Sequence, residues 1–161
     1  MSPPFSSTAT MAEFLRRGIE LDLWDVDLAR AWADEQIRHH DEPPHEIIEI
    51  AWSKGVGELL TALSAVQGER NKPLAGAWLL GLIANQIADD AHSLAVSARQ
   101  AMNVARLCEL DESVYDEFDG IEDSIYLARD QQHGTLQDCK QDLLQLLSKH
   151  ALPLPPSLPP R

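Results

Sequence analysis

Cationic side chains are scarce in this sequence relative to acidic ones. Its 161 residues carry 13 Lys and Arg against 26 Asp and Glu, a formal net charge of −13 with a pI near 4.7. A surface of that sign repels nucleic-acid phosphates and anionic lipid before any contact forms. The balance therefore argues against nucleic acid and against a membrane as partner, and for a basic protein. The deficit is sharpest between Glu109 and Asp123, where Glu109, Asp111, Glu112, Asp116, Glu117, Asp119, Glu122 and Asp123 occur with no Lys or Arg among them.

Cysteine is scarcer still. Cys108 and Cys139 are the only two, with neither the spacing of a metal knuckle nor the density of a disulfide framework, so both are expected to be reduced and partly buried in a reducing cytoplasm. Long hydrophobic runs are missing too. The longest uncharged span, Pro73 to Ala88, contains two glycines with Asn85 and Gln86, and it falls short of the roughly 20 apolar residues that cross a bilayer. It reads as a buried helix. The opening MSPPFSSTAT has no positive charge and no apolar stretch, so it does not read as a secretory signal. No glycine-rich phosphate cradle occurs. No Ser or Cys has the setting of a nucleophile, since Ser93 only follows His92 in sequence and such neighbours do not face each other on a helix. No catalytic residue and no cofactor are assigned.

Alternating β-branched runs are also absent, whereas apolar residues recur at helical spacing in nearly every segment. With 44 % hydrophobic residues the chain can build one proper core. The expectation is an all-α, single-domain helical bundle of about six or seven helices over residues 1–152. Residues 1–9 would be flexible, a buried central helix would cover 73–88, and a Pro-rich C-terminal tail over 153–161 would be extended and disordered.

Local signals place the elements. Thr10 and Glu13 have capping-box spacing ahead of Phe14, Leu15 and Ile19. Asp25 or Asp27 starts a second helix with Leu28, Ala29, Trp32 and Ile37 inward, ending at His39-His40-Asp41-Glu42. Pro44 opens a third with Ile47, Ile48 and Ala51. Leu59, Leu60, Leu63 and Val66 mark a fourth, closed by Gly68. In the span 73–88, Ala77, Gly81, Ala84 and Ala88 share one side, where small residues admit a neighbouring helix. The pattern resumes with Leu94, Ala95, Ala98, Met102 and Ala105, as one bent helix with the preceding span or as two. Val114, Phe118, Ile121 and Ile125 make the acidic run the outer face of an amphipathic helix. Gly134 ends that helix and Thr135 caps a last one with Leu136, Cys139, Leu143, Leu146 and Leu147 inward.

Acids at this density solvate many surface helices, and Asp or Glu near a helix start is favoured by the dipole. The functional reading is a ridge of Glu112, Asp116, Asp119 and Asp123 held by a packed back face and presented to a basic ligand. The run lacks the spacing and the sixth-position glycine of an EF-hand calcium loop. Three acid-x-x-His pairs raise a metal alternative: Glu42 with His45, Asp89 with His92, and Asp130 with His133. A di-metal bundle site needs further inward carboxylates, and only Asp89, Asp90 and His92 lie beside the apolar helix. Arg38-His39-His40 falls where cations favour a helix C-terminus. The tail residues Pro156 to Arg161 match a PxxPxR pattern of the kind that docks in SH3-type grooves.

The stretch from Ala31-Trp32-Ala33-Asp34 through Asp41-Glu42-Pro43-Pro44-His45-Glu46-Ile47-Ile48-Glu49 resembles small bacterial proteins, some of them immunity proteins that guard a cell against its own toxin. The resemblance covers under a third of the chain, and it carries no site residues onto this sequence. It implies a small, acidic, cytoplasmic inhibitor of a basic nuclease, which agrees with the charge. The sequence thus points to a non-enzymatic protein-binding protein of immunity or antitoxin type whose acidic helix meets a basic toxin domain. Exposed aromatics, Trp24 or Tyr115, would supply binding energy. The alternatives are a small metal-dependent enzyme using Asp89, Asp90 and His92, and a scaffold or regulatory subunit. Oligomeric state is open.

Overall fold

The computed structural model describes residues 8–130, 134–155 and 158. Among them are eight helices and no strand: α1 Thr8–Glu20, α2 Val26–Arg38, α3 His45–Ala51, α4 Val56–Ala65, α5 Lys72–Asn85, α6 Ala91–Leu107, α7 Glu112–Arg129 and α8 Leu136–His150. The fold is all-α, with more helices than the six or seven expected because the 73–108 stretch breaks at residues 86–90 into α5 and α6. The chain groups into two compact units, residues 1–75 with 155–161, and residues 76–154. The boundary falls inside α5.

In the first unit α1 packs on α2 and α4, and α3 lies between α2 and α4. Phe14, Leu15, Trp32, Ile47, Ile50, Leu59 and Leu63 are fully buried. Among them sits a charge. Glu13 is 0 % exposed; its carboxylate accepts from Arg17 Nε at 3.0 Å and from Arg70 Nη1 at 2.9 Å. Arg70 continues through Nη2 to the carbonyls of Leu63, Ser64 and Val66 at 2.7, 3.1 and 3.2 Å. Those carbonyls belong to the end of α4, which has no intrahelical donors for them. One residue before Asn71 the chain is thus locked, and Asn71 N–H donates to Thr10 Oγ1 at 2.9 Å while Asn71 Oδ1 receives the Leu74 amide at 3.1 Å. The Thr10–Glu13 pair expected to cap α1 therefore does other work. α1 starts at Thr8, and both side chains tie α1 to the α4–α5 connection.

Burial pushes the Glu13 carboxyl up, but the charges and hydrogen bonds of Arg17 and Arg70 outweigh it and hold the group below its ordinary value. A lowered carboxylate stabilises the fold fully above its unfolded value near 4.5, and the contribution is lost as pH falls through the folded one.

The turn after α1 depends on Gly18. Asp22 takes φ 59°, and the Leu23 and Trp24 amides both return to the Gly18 carbonyl at 2.8 and 3.2 Å. This lays the Trp24 indole on Gly18, where an added Cβ would stand 1.9 Å from Trp24 Cδ1. Trp24 also meets Phe14 edge to face at 5.3 Å. It is 8 % exposed, so the expectation that Trp24 is a surface anchor is corrected: the hydrophobic turn folds it inward. Tyr115 is half-buried.

In the second unit α6 and α7 form an antiparallel pair and α8 packs on both. α6 turns Ala95, Ala98, Ala101 and Ala105 inward, and these small side chains let α7 come close. The α6–α7 turn places Glu109 at φ 56°. α5 is buried from Ala75 to Leu80 and again at Leu82 and Ile83. Its glycines make room for particular neighbours: a Cβ at Gly76 would lie 2.8 Å from Cys108 Cβ, and one at Gly81 would lie 2.6 Å from the Leu152 carbonyl oxygen. Leu152 N–H in turn donates to the Ala77 carbonyl at 3.1 Å. What the small side of α5 admits is thus the extended chain after α8, not another helix. Ala88 lies beyond the end of α5 and is exposed.

Residues 153–155 are non-helical, as expected of the Pro-rich tail, yet Pro155 is buried. The rest of the tail with its PxxPxR pattern, apart from Leu158, lies outside the described residues, as do residues 1–7 of the N-terminus expected to be flexible.

Two substitutions check this account. Glu13→Ala takes from Arg70 its buried carboxylate partner and leaves Arg17 paired with Glu20 alone, and is expected to cost about 3 kcal/mol at neutral pH. The gap to wild type should narrow as pH drops below about 4.5, as read by urea unfolding across a pH series. Gly81→Ala gains helix propensity but drives Cβ into backbone, for a net loss of about 1–2 kcal/mol by the same measurement.

Candidate protein-binding surface

Helix α7 presents most of the acidic run. Its back face is apolar, with Val114, Phe118 and Ile125 buried and Ile121 half-buried. Asp111 caps it by accepting the Ser113 amide at 3.2 Å, and Glu112 follows in the first turn, where the helix dipole favours a negative charge. The structure sorts the eight acids into groups with different tasks. Glu109 lies in the turn and Asp111 is the cap. Glu117 faces α8, with Lys149 Nζ at 3.3 Å and His150 Nε2 at 3.5 Å. Glu122 faces α6 and accepts from Arg99 Nε at 3.1 Å. Arg99 Nη2 also donates to Tyr126 Oη at 3.0 Å, and its guanidinium is held above its ordinary value chiefly by the bond to Glu122.

Glu112, Asp116, Asp119 and Asp123 are the four that remain. All are exposed, and no cation pairs with them among the described residues. At about 100° per residue these positions fall within roughly 60° of the helix circumference. Two flanking acids are neutralised by neighbouring helices while the line between them stays anionic. Like charges three or four residues apart each cost a few tenths of a kcal/mol, so the ridge opposes stability slightly.

Two features of this face were not singled out in the sequence. Leu127, one turn beyond Asp123, is 40 % exposed and adds an apolar contact at the end of the ridge. Gly120 is exposed in mid-helix, and a Cβ there would meet nothing within 4 Å. Packing does not require this glycine, which lowers helix stability by about 1 kcal/mol relative to Ala. It keeps the backbone beside Asp116 and Asp119 bare.

Asp89 and Asp90 of the metal alternative have other partners. Asp89 forms an ion pair with Lys140 of α8. Asp90 caps α6, accepting the Ser93 amide at 3.1 Å, and its hydrogen bonds to Ser93 hold the carboxyl below its ordinary value. His92 is exposed. His45 pairs with Glu49 at 2.9 Å, one turn along α3, not with Glu42. His133 lies outside the described residues. No group of three His, Cys, Asp or Glu is placed to hold a metal ion among the described residues. Arg38 and His39 reach Glu35 at 2.9 and 3.2 Å, and His40 Nδ1 lies 2.6 Å from the Gln36 carbonyl, so that basic triplet is spent on the last turn of α2. Cys108 and Cys139 are both free thiols and buried; burial first, then Asp142 and Asp138, pushes the Cys139 thiol up. No described helix is long and apolar enough to cross a membrane.

Comparison of the chain with protein-family models, curated proteins and solved structures gives no match.

Gly120→Ala tests whether packing has any use for that position: urea unfolding should show a gain of about 0.5–1 kcal/mol. A loss would mean that the exposed face is constrained in a way the geometry does not contain.

Proposed function

We propose that this chain is a non-enzymatic protein-binding protein that meets a basic partner through the outer face of α7, in the manner of an immunity protein or antitoxin occupying the basic groove of a nuclease toxin. The observation that carries the reading is the row of four unpaired carboxylates between two paired ones. A helix needing only solvation has no use for repelling neighbours at consecutive turns, whereas a partner rich in Lys and Arg converts that repulsion into attraction on contact. The bare backbone at Gly120 supports the same reading, since it lets a partner side chain approach the helix between Asp116 and Asp123. The net charge of −13 steers such a partner over distances beyond contact, and that effect is screened by salt.

The test is reversal of Glu112, Asp116, Asp119 and Asp123 to Lys. The buried side of α7 is untouched and Lys at Glu112 opposes the helix dipole only modestly, so stability should change by no more than about 1 kcal/mol. A basic protein captured from the host lysate by the wild type should associate with the variant about 10-fold or more slowly. Surface plasmon resonance at low and high salt should show a steep salt dependence for the wild type and little for the variant. Equal rates for both would make the ridge a solvated face and end the proposal.

A further inference from the structure

Between α3 and α4 lies an open groove of about 780 Å³, within the first unit. Pockets of this size hold several side chains. At its mouth stands Trp52, which closes α3 as its C-cap residue with its amide bonded to the Ile48 carbonyl at 3.0 Å. The indole is 75 % exposed, while Trp24, Trp32 and Trp78 are 8, 1 and 7 % exposed. Val56, on the first turn of α4, is 50 % exposed. The fold thus fixes one large aromatic face on a helix end and leaves it to solvent.

The rest of the lining sets the chemistry. Ile48 and Ala62 are apolar; Glu49 and Glu58 bring carboxylates to the same groove. Both are held in place. Glu49 Oε1 lies 2.9 Å from His45 Nε2, and Glu58 Oε2 accepts the Lys54 amide at 3.1 Å. A carboxylate offers about four acceptor positions, so each retains capacity for a further donor. From His45 to Ala65 the chain carries Glu46, Glu49 and Glu58 against Lys54 alone, which leaves the groove anionic. An aromatic face flanked by carboxylates and apolar lining matches a guanidinium on an aliphatic stem: the plane stacks on the indole, the charge meets the acids and the stem covers Ile48.

We propose that the α3–α4 groove is an anchoring site for an arginine-bearing apolar segment of a protein partner, with the guanidinium over Trp52 and between Glu49 and Glu58. The proposal rests on the reading of the chain as a binder of basic proteins. It adds to the long-range attraction of α7 a short-range aromatic contact of the kind that dominates binding energy.

The test uses a short amphipathic peptide of Leu, Ala and Arg, its citrulline analogue, which keeps the shape and removes the charge, and its Glu analogue. The Arg peptide should protect Trp52 from acrylamide quenching, a signal assigned by its loss in Trp52→Phe. Calorimetry should show the citrulline peptide binding about 10-fold more weakly and the Glu peptide not at all. Trp52→Ala should weaken the Arg peptide by about 10-fold or more, and circular dichroism should show its fold intact, as expected for so exposed a side chain. The Glu49→Gln/Glu58→Gln variant should lose most of the salt dependence of binding. Reversal of the α7 ridge should leave peptide affinity within about two-fold; it bears on the proposed function alone, so the two ideas fail separately. Equal affinity for the Arg and citrulline peptides would overturn the proposal, as would protection of Trp52 by raised protein concentration without peptide, which would make the occupant a second copy of this chain.

Discussion

A carboxylate stripped of water must find cations at close range, and Glu13 finds two. That requirement organises the first unit. Arg17 comes from the same helix one turn on, but Arg70 must be brought back from far along the chain, and the guanidinium that reaches Glu13 also collects three carbonyls at the end of α4. One side chain thereby serves a buried charge and a helix terminus, two groups that are costly to bury alone. The helices are pinned to one another by hydrogen bonds with direction, which apolar packing does not supply. The groove beside Trp52 lies between α3 and α4, and α4 is the helix whose end this frame holds.

The second unit is arranged around close backbone approach. Gly76 admits Cys108, Gly81 admits the Leu152 carbonyl, and the alanines of α6 admit α7. With α7 fixed between α6 and α8, its sides acquire cations from both, through Arg99 and through Lys149. No cation among the described residues reaches the outward acids, so they stay unpaired. The two candidate binding features therefore differ in kind. In the proposed reading the ridge would act at a distance through uncompensated charge, whereas the groove would act at contact through an exposed aromatic.

Much of this was legible in the residues. The all-α class, the helix starts at Asp25 and Thr135, the opening of α3 after Pro44 and the apolar side of α7 all follow from period and capping, which are local. The prominence of Glu112, Asp116, Asp119 and Asp123 was legible for the same reason, since 3.6-residue spacing alone puts them on one face. Elsewhere local signals misled. Thr10 and Glu13 have the spacing of a capping box, yet α1 begins before them and both side chains serve partners some sixty residues away. Trp24 is expected among the exposed aromatics, yet Gly18 leaves a recess that takes its ring.

The sequence by itself determined where helices form and which side of each is apolar, because both depend on neighbours within about four residues. It also determined the sign of the molecule's field, which is a sum over side chains and needs no geometry. Only the tertiary structure decided which charges are answered. Whether an acid is neutralised depends on a cation within about 4 Å, and for the acids of α7 those cations arrive from α6 and α8. Glu117 and Glu122 are paired and Asp116 and Asp119 are not, though all four sit in one stretch without Lys or Arg. The exposure of Trp52 and the burial of Trp24 were decided in the same way, by which neighbouring surfaces the folded chain brings against each ring.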